Sequence, residues 1–339
     1  MRVGFMGPPL RRRRGHRGAI TSDETRSGSR VELGGSATPV LRTAFDVSSY
    51  TREARGKADV DVDAIIGAAT ASTGPTARQL AELRRDLDVL HQLESSALTE
   101  TRTMYSAWTV NEARITAFIA TWLWERHWWA DALHQLSQTL AAADQRKDGA
   151  LRTVSTPRPP RPAAALRRVY VQRALPVVGA GWTWLAGEKV TAGHMARMAI
   201  QEGSLQAAVR ALLPRTVTLP EVHRVLTELI ARRSRALSFF RLEAIARITR
   251  SPGEAIVARL VLTVGGDPLR PAGQWVDDEV AALTSIFRHP ADRSALRAAR
   301  YEITRLLPGP DLHRAPPPAT KHRTITSPAF PRNGSPRGF

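Results

Sequence analysis

The sequence predicts an all-α protein built around a four-helix bundle. Four long segments place apolar residues three or four positions apart, which is the spacing that lines one face of an α-helix. No segment alternates apolar and polar residues over a length that would favour a β-strand. Hydrophobic residues make up 42% of the 339 residues, which is enough to fill a core between such helices.

The first two predicted helices lie in the N-terminal half of the bundle. Residues 77–108 form the first, with an inward face of Leu80, Leu83, Leu87, Leu90, Ala97, Leu98, Tyr105 and Trp108. Thr109 and Glu112 have the spacing of a capping box, so they predict the start of the second helix. Its inward face is Ile115, Phe118, Ile119, Trp122, Trp129, Leu133 and Leu136.

The third and fourth predicted helices lie in the C-terminal half. Residues 191–213 form the third, with an inward face of Met195, Met198, Ala199, Leu205, Val209 and Leu213. Residues 220–250 form the fourth, with an inward face of Val222, Val225, Leu226, Leu229, Ala236, Leu237, Phe240 and Ala244. Residues 164–187 and 253–306 are predicted to add further helices. Four apolar stripes of this length favour a four-helix bundle.

The bundle is predicted to span residues 76–308, between two ends that lack helical periodicity. Residues 1–75 are rich in Gly, Ser, Thr and Arg, and residues 309–339 are rich in Pro, so both ends are predicted to be disordered. A Pro/Arg-rich linker at residues 147–166 separates the two halves of the bundle. The basic start of the chain lacks the apolar stretch of a secretory signal.

The net charge of +18 is concentrated outside the predicted helices. Residues 1–30, 147–173 and 309–339 together carry +16 of the +18. This distribution predicts weak, non-specific nucleic-acid binding by the tails at low salt, rather than recognition by the folded part. The absence of Cys excludes disulfides and thiolate metal sites. Because no run of 18 apolar residues exists, we expect no transmembrane helix, and the sequence predicts a cytoplasmic protein.

Each of the four predicted bundle helices carries an ionisable residue in the middle of its apolar stripe. These residues are Glu94, Arg126, Glu202 and Arg233, and the spacing of the first pair, 32 residues, nearly repeats in the second, 31 residues. A buried charge costs several kcal/mol unless it is paired, so we predict one buried ionic network. The alternatives are that some of the four reach solvent at the edge of a stripe, or that they belong to a working metal site.

The spacing and the local sequence resemble the ferritin-like di-iron carboxylate family, which includes the ribonucleotide reductase small subunit and soluble acyl-carrier-protein desaturases. In that family each of two helix pairs has a Glu followed about 30 residues later by Glu-x-x-His. The stretch WLWERHWWADAL, residues 122–133, is similar to a desaturase-like helix W-T-A-E-E-x-x-H-x-D-x-L. On that match Arg126 stands at the metal-binding Glu, and Trp129 stands at the His.

The C-terminal half resembles the same pattern. The stretch RMAIQEGSLQAA, residues 197–208, resembles the helix that supplies the lone Glu, which corresponds to Glu202. The stretch IARRSRALSFF, residues 230–240, looks like the second Glu-x-x-His helix, but Arg233 and Ala236 take the ligand positions. The resemblance therefore implies a ferritin-like four-helix bundle with extra helices and a degenerate di-iron site.

The departures from the family pattern determine the predicted chemistry. A di-iron site needs about six carboxylate or imidazole ligands, whereas this pattern retains only Glu94 and Glu202. Arg cannot lose its proton in a protein, so it cannot bind iron. We therefore predict that two guanidinium groups neutralise the two carboxylates, with Trp122, Trp129 and Ala236 lining the cluster.

Three functions follow from these features. The favoured one is a pseudoenzyme that acts as a binding or scaffold protein, with no cofactor, no metal and no oxygen chemistry; its partner is a protein, a small apolar ligand or a second copy of the chain in a homodimer. The first alternative is an active di-iron or di-manganese oxidoreductase of the desaturase type, with His91, Glu94, Glu125 and Glu202 as unusual Fe or Mn ligands. The second alternative is polyanion binding through the basic tails.

Overall fold

A computed structural model describes residues 43–148, 187–265 and 285–310 of the chain. These residues form α-helices joined by turns and short 3₁₀ segments, and none of them lies in a strand, which confirms the all-α prediction for this part of the chain. The helices are α1 (Val47–Glu53), α2 (Val62–Thr70), α3 (Ala77–Ser95), α4 (Ala97–Tyr105), α5 (Ala113–Asp148), α6 (Val190–Leu212), α7 (Pro220–Arg250), α8 (Pro252–Gly265) and α9 (Pro290–Thr304).

The long helices form two antiparallel pairs. In the first pair, His91 of α3 contacts Ala130 of α5, and Asp88, one turn earlier, contacts Ser137, which lies later on α5. In the second pair, Gln206 of α6 contacts Ser234 of α7, and the turn between the two helices brings Thr216 to His223. Across these ranges, none of the helices has both the length and the apolarity needed to span a bilayer.

The four long helices share two apolar clusters that follow one another along the bundle. The first cluster holds Leu83, Leu87, Leu90, Leu133, Leu136, Leu205, Val209, Val222, Leu226 and Leu229 among its buried residues. The second holds Phe118, Ile119, Trp122, Met195, Met198, Ala199, Ala236, Phe239, Phe240 and Ala244. Arg126, Glu202 and Arg233 lie between the residues that their helices contribute to the two clusters, and Glu94 directly follows Leu93, the last residue of α3 in the first cluster.

The structured region starts earlier than predicted, so the assignment of all of residues 1–75 to a disordered region is wrong. Helices α1 and α2 lie within it, and each begins with an Asp side chain that accepts a hydrogen bond from a backbone N–H of the first turn. Tyr50, Ile65 and Ala69 of these helices are buried in the core. The predictions for residues 1–42, 149–166 and 311–339 fall outside the described residues.

The predicted first helix is divided near Ser96, and its second part buries a face other than the predicted one. Leu98, Tyr105 and Trp108 were expected to point inward, but they are 56%, 43% and 44% exposed. Ala97 is buried as predicted, and Thr101 and Met104 are buried in place of the other three, so that the apolar face of α3 continues with a slightly shorter repeat. The prediction of these three residues as core was therefore wrong.

The predicted capping box at Thr109 and Glu112 is also wrong. Thr109 lies in a 3₁₀ segment, and α5 begins only at Ala113. The Thr109 hydroxyl lies 2.7 Å from Nδ1 of His194, whereas the Glu112 carboxylate binds Arg247. Both side chains therefore serve tertiary contacts in place of the local cap.

Candidate functional site

The structure brings Glu94, Arg126, Glu202 and Arg233 into one ring of alternating charge. Arg126 contacts a Glu94 oxygen through Nε at 2.5 Å and donates from Nη1 to Glu202 Oε1 at 2.8 Å. Arg233 donates from Nη1 to Glu202 Oε2 at 2.5 Å and from Nη2 to the remaining oxygen of Glu94. All four carboxylate oxygens therefore face a guanidinium group.

The ring is buried in the protein core. The four residues are between 1% and 4% exposed, and they lie between the two apolar clusters. Burial opposes the charged form of Arg126, but the negative charges of Glu94 and Glu202 outweigh it and raise the pKa of this side chain. Burial raises the pKa of Glu94, against the effect of the two neighbouring guanidinium groups. Because an Arg side chain does not lose its proton in a protein, the ring is neutral when both of its carboxylates are ionised.

Arg126 makes further contacts that fix it on the α3 side of the ring. Its Nη2 donates to the backbone carbonyl of Leu93 at 2.6 Å, at the C-terminal end of α3. The guanidinium carbon lies 5.1 Å from the Trp122 ring centroid, within the range of a cation–π contact. The Glu100 carboxylate is 4.0 Å from Nη1. These groups position the guanidinium between the two carboxylates of the ring.

The predicted lining residues have different surroundings. Trp122 is buried and contacts the ring through Arg126, as described above. Trp129 is buried in the first apolar cluster, with the guanidinium of Arg232 4.7 Å from its ring centroid. Ala236 is buried in the second cluster. Of these three residues, Trp122 contacts a member of the ionic ring, whereas Trp129 and Ala236 fill the apolar volume on either side of the ionic ring.

The alternative metal ligands are not arranged around one point. His91 donates from Nδ1 to the backbone carbonyl of Ala130 at 2.9 Å, and its ring lies beside that of His134. Glu125 accepts a hydrogen bond from the Tyr50 hydroxyl, while the oxygens of Glu94 and Glu202 face Arg126 and Arg233. Among the described residues, no group of three or more His, Asp or Glu side chains could hold a metal ion. These residues do not fit a di-metal site.

Glu125 and Arg126 are neighbours in the tryptophan-rich stretch, yet they serve different contacts. Arg126 faces the ring, whereas Glu125 is bound to Tyr50 of α1. Burial raises the pKa of Glu125, and burial together with the Glu125 charge raises the pKa of Tyr50. One turn of α5 thus connects the ring to the N-terminal part of the chain.

A second buried ionic cluster was missed in the sequence. Glu243 and Arg247 of α7 are 0% and 1% exposed. Arg247 donates to both oxygens of Glu112 at 2.7 and 2.8 Å, and Glu243 accepts from Arg114 and from the Thr43 hydroxyl. The sequence does contain a signal for this cluster. Arg247 lies on the same helix face as the apolar residues Phe240 and Ala244, just as Arg233 lies on the same face as Leu229.

His194 gives the protein a predicted sensitivity to acid. Burial, with a smaller contribution from the charge of Arg197, lowers the pKa of this imidazole from 6.5 to about 4. The unfolded chain therefore binds a proton below pH 6.5 that the folded protein does not bind, and stability falls as the pH drops from 6.5 towards 4. The free energy of unfolding falls by roughly 3 kcal/mol through the titration of this imidazole.

We expect His194→Gln to remove most of this pH dependence. The measurement is the free energy of urea unfolding at pH 7 and at pH 4.5, compared between the variant and the unaltered chain. His127→Gln, at an exposed position of α5, is the matched control. An unchanged difference between the two pH values in His194→Gln would contradict the assignment.

The rest of the predicted chemistry lies outside this site. The basic segments expected to attract nucleic acid are largely outside the described residues, so the ring and the second ionic cluster are the main polar features of the described core. Comparisons of the chain with protein-family models, with curated proteins and with solved structures give no match.

Proposed function

We propose that this chain is a ferritin-like helical bundle in which a ring of two Glu and two Arg side chains stands in place of a di-metal site. The proposed role is that of a binding or scaffold protein without oxygen chemistry. The observation that supports it is the alternation of charge in the ring, where Arg126 and Arg233 engage every oxygen of Glu94 and Glu202.

The argument rests on what a metal ion would have to displace. A metal would need the carboxylate oxygens of Glu94 and Glu202, and both buried guanidinium groups would then lose these counter-charges, which leaves Glu100, 4.0 Å from Arg126, as the remaining carboxylate nearby. An unpaired buried charge costs several kcal/mol, and neither Arg can become neutral by losing a proton. In this proposal the ring supplies the charge balance that two metal ions supply in the family that the sequence resembles.

We expect the purified full-length protein to contain no stoichiometric iron or manganese. The measurement is elemental analysis of protein purified without chelators, from cells grown with both metals added. About two equivalents of iron per chain, with absorption from an oxo-bridged pair, would instead support the di-iron oxidoreductase.

A variant with four substitutions tests the proposed ancestry directly. It combines Arg126→Glu, Trp129→His, Arg233→Glu and Ala236→His, and we expect it to bind a divalent metal that the unaltered chain does not bind. Trp129→His removes volume from the core, at a cost of roughly 3–5 kcal/mol by analogy with other large-to-small changes. Adding Glu94→Ala and Glu202→Ala to this variant is the control, because it removes the two retained ligands and should abolish the binding.

A further inference from the structure

Residues 43–61, which we call the strap, lie in a groove between α5 and α7. The groove is formed by Arg114, Phe118 and Glu125 of α5 and by Arg224, Arg232 and Phe239 of α7. Contacts extend over the whole strap, from Thr43, which donates to Glu243, to Asp61, whose backbone N–H donates to Glu221 at 3.1 Å. The strap therefore covers this side of the bundle.

Many of the groove contacts are made to the strap backbone rather than to its side chains. Arg114 donates to the carbonyl of Phe45 at 3.0 Å, near the start of the strap. On α7, Arg232 donates to the carbonyl of Arg55 at 3.3 Å, and Arg224 donates to that of Asp59 at 2.5 Å. These donors bind the main chain on both sides of α1, and main-chain hydrogen bonds of this kind supply affinity in peptide-binding sites, where contacts with the side chains supply specificity.

Three residues of the strap make close contacts with the groove. Phe45 packs edge-on against Phe118 and Phe239, with ring centroids 5.7 and 5.3 Å away. Tyr50 is 1% exposed, stacks on Phe118 at 4.7 Å, and donates its hydroxyl proton to Glu125. Gly56 lies so close to Trp124 that an added Cβ would be 3.3 Å from the indole. The three strap residues in closest contact with the groove are thus spaced as Phe-x4-Tyr-x5-Gly.

The strap has little means of staying ordered without the groove. Its helix α1 has 7 residues, whereas isolated helices shorter than about 12 residues are not stable in water. Its outward side chains, including those of Arg52, Lys57 and Asp59, are exposed. Folding of the strap is therefore coupled to its binding, as in segments that become ordered on a partner surface.

We propose that the groove between α5 and α7 is a peptide-binding site that the strap occupies in cis, and that it accepts a segment of the same pattern from another molecule when the strap is released. The partner is a peptide that forms the same short helix, with aromatic side chains at positions 1 and 6 and Gly at position 12, as in Phe45, Tyr50 and Gly56. This surface is separate from the ionic ring, so the inference is independent of the metal question.

The test uses a fluorescent synthetic peptide of residues 43–61 and the full-length chain. Tyr50→Ala in the chain weakens the strap, and we expect the peptide to bind this variant at least about tenfold more tightly than the unaltered chain, whose groove is filled. A peptide carrying the same Tyr→Ala change should lose at least about tenfold in affinity. Equal binding to both chains, equal binding by both peptides, or no binding would overturn the proposal.

Two controls connect the binding to the groove. Adding Arg232→Ala to the Tyr50→Ala chain should weaken peptide binding several-fold, because it removes a donor to the peptide backbone. Adding Arg78→Ala instead should leave the affinity unchanged, because Arg78 is an exposed residue of α3 that pairs only with Glu82 among the described contacts. The reverse ranking of these two variants would place the peptide elsewhere on the protein.

Hydrogen–deuterium exchange on the unaltered chain gives a measurement that does not depend on how the variant folds. Release of the strap alone predicts that the amides of α1 exchange at least about tenfold faster than those of residues 83–93 of α3. Equal protection of the two segments would show that the strap opens only when the whole domain unfolds, and that result would also overturn the proposal.

Discussion

Arg126→Ala should lower the free energy of unfolding by roughly 3–5 kcal/mol, because it removes one of two cations from a buried ring. The carboxylates of Glu94 and Glu202 would then share Arg233 alone, and the ring would carry a net negative charge within the core. The backbone carbonyl of Leu93 would also lose one of its two side-chain donors and keep the Ser96 hydroxyl. Urea unfolding, followed by circular dichroism, measures the effect.

The ring also predicts how Arg126→Ala combines with Glu94→Ala in a double variant. Glu94→Ala restores neutrality in the Arg126→Ala background, so the double variant should be more stable than the sum of the two single losses by about 1–3 kcal/mol. Arg126→Met, which keeps much of the side-chain volume, separates the loss of charge from the loss of packing. Arg78→Ala, in an exposed ion pair with Glu82, is the matched control and should change stability by less than about 1 kcal/mol. Strict additivity of Arg126→Ala and Glu94→Ala would mean that the ring is not a coupled unit.

Arg247→Ala should have an effect of similar size, roughly 3–5 kcal/mol, for a related reason. Arg247 is 1% exposed and joins Glu243 of α7 to Glu112, the residue that precedes α5. Its loss leaves Glu243, which is 0% exposed, with Arg114 as its remaining cation and opens a cavity beside the second apolar cluster. The same unfolding measurement applies.

Arg247→Lys distinguishes the geometry of the guanidinium from its charge. Lys keeps the positive charge but presents a single ammonium, which cannot reach Glu112 and Glu243 with the planar donors of Arg. We therefore expect the free energy of unfolding of Arg247→Lys to lie between those of the unaltered chain and of Arg247→Ala. A Lys variant as stable as the unaltered chain would show that charge alone accounts for the contribution of this residue.

The helical part of the fold is accessible from the sequence because its signal is repeated many times. Stripes of Leu, Val and Phe at helical spacing locate α3, α5, α6 and α7, and the fourth stripe gives the bounds of α7 correctly as Pro220–Arg250. The members of the ring are also accessible, because a Glu or an Arg in the middle of an apolar stripe has to find a partner at the same depth. The ferritin-like ancestry stays a prediction.

The strap could not be predicted for a physical reason. The donors that bind it from α7, Arg224 and Arg232, contact backbone carbonyls, which every residue carries, so these contacts leave no signal in the sequence of the strap. Its apolar anchors are few, and Phe45 and Tyr50 are too widely spaced to form a helical stripe. The second ionic cluster was not predicted for another reason. Glu243 and Arg247 have the i,i+4 spacing of an ordinary surface ion pair.

The position of the strap in the chain also determines when it can bind. Thr43 lies 200 residues before Glu243, to which it donates a hydrogen bond. At a synthesis rate of about 5–20 residues per second, Glu243 leaves the ribosome roughly 10–40 s after Thr43. Contacts between α3 and α5 close much sooner, since His91 and Ala130 are 39 residues apart. During translation, α1, the first of the described helices, therefore waits for α7, and the contacts of Phe45 and Tyr50 stay incomplete until α7 has been made.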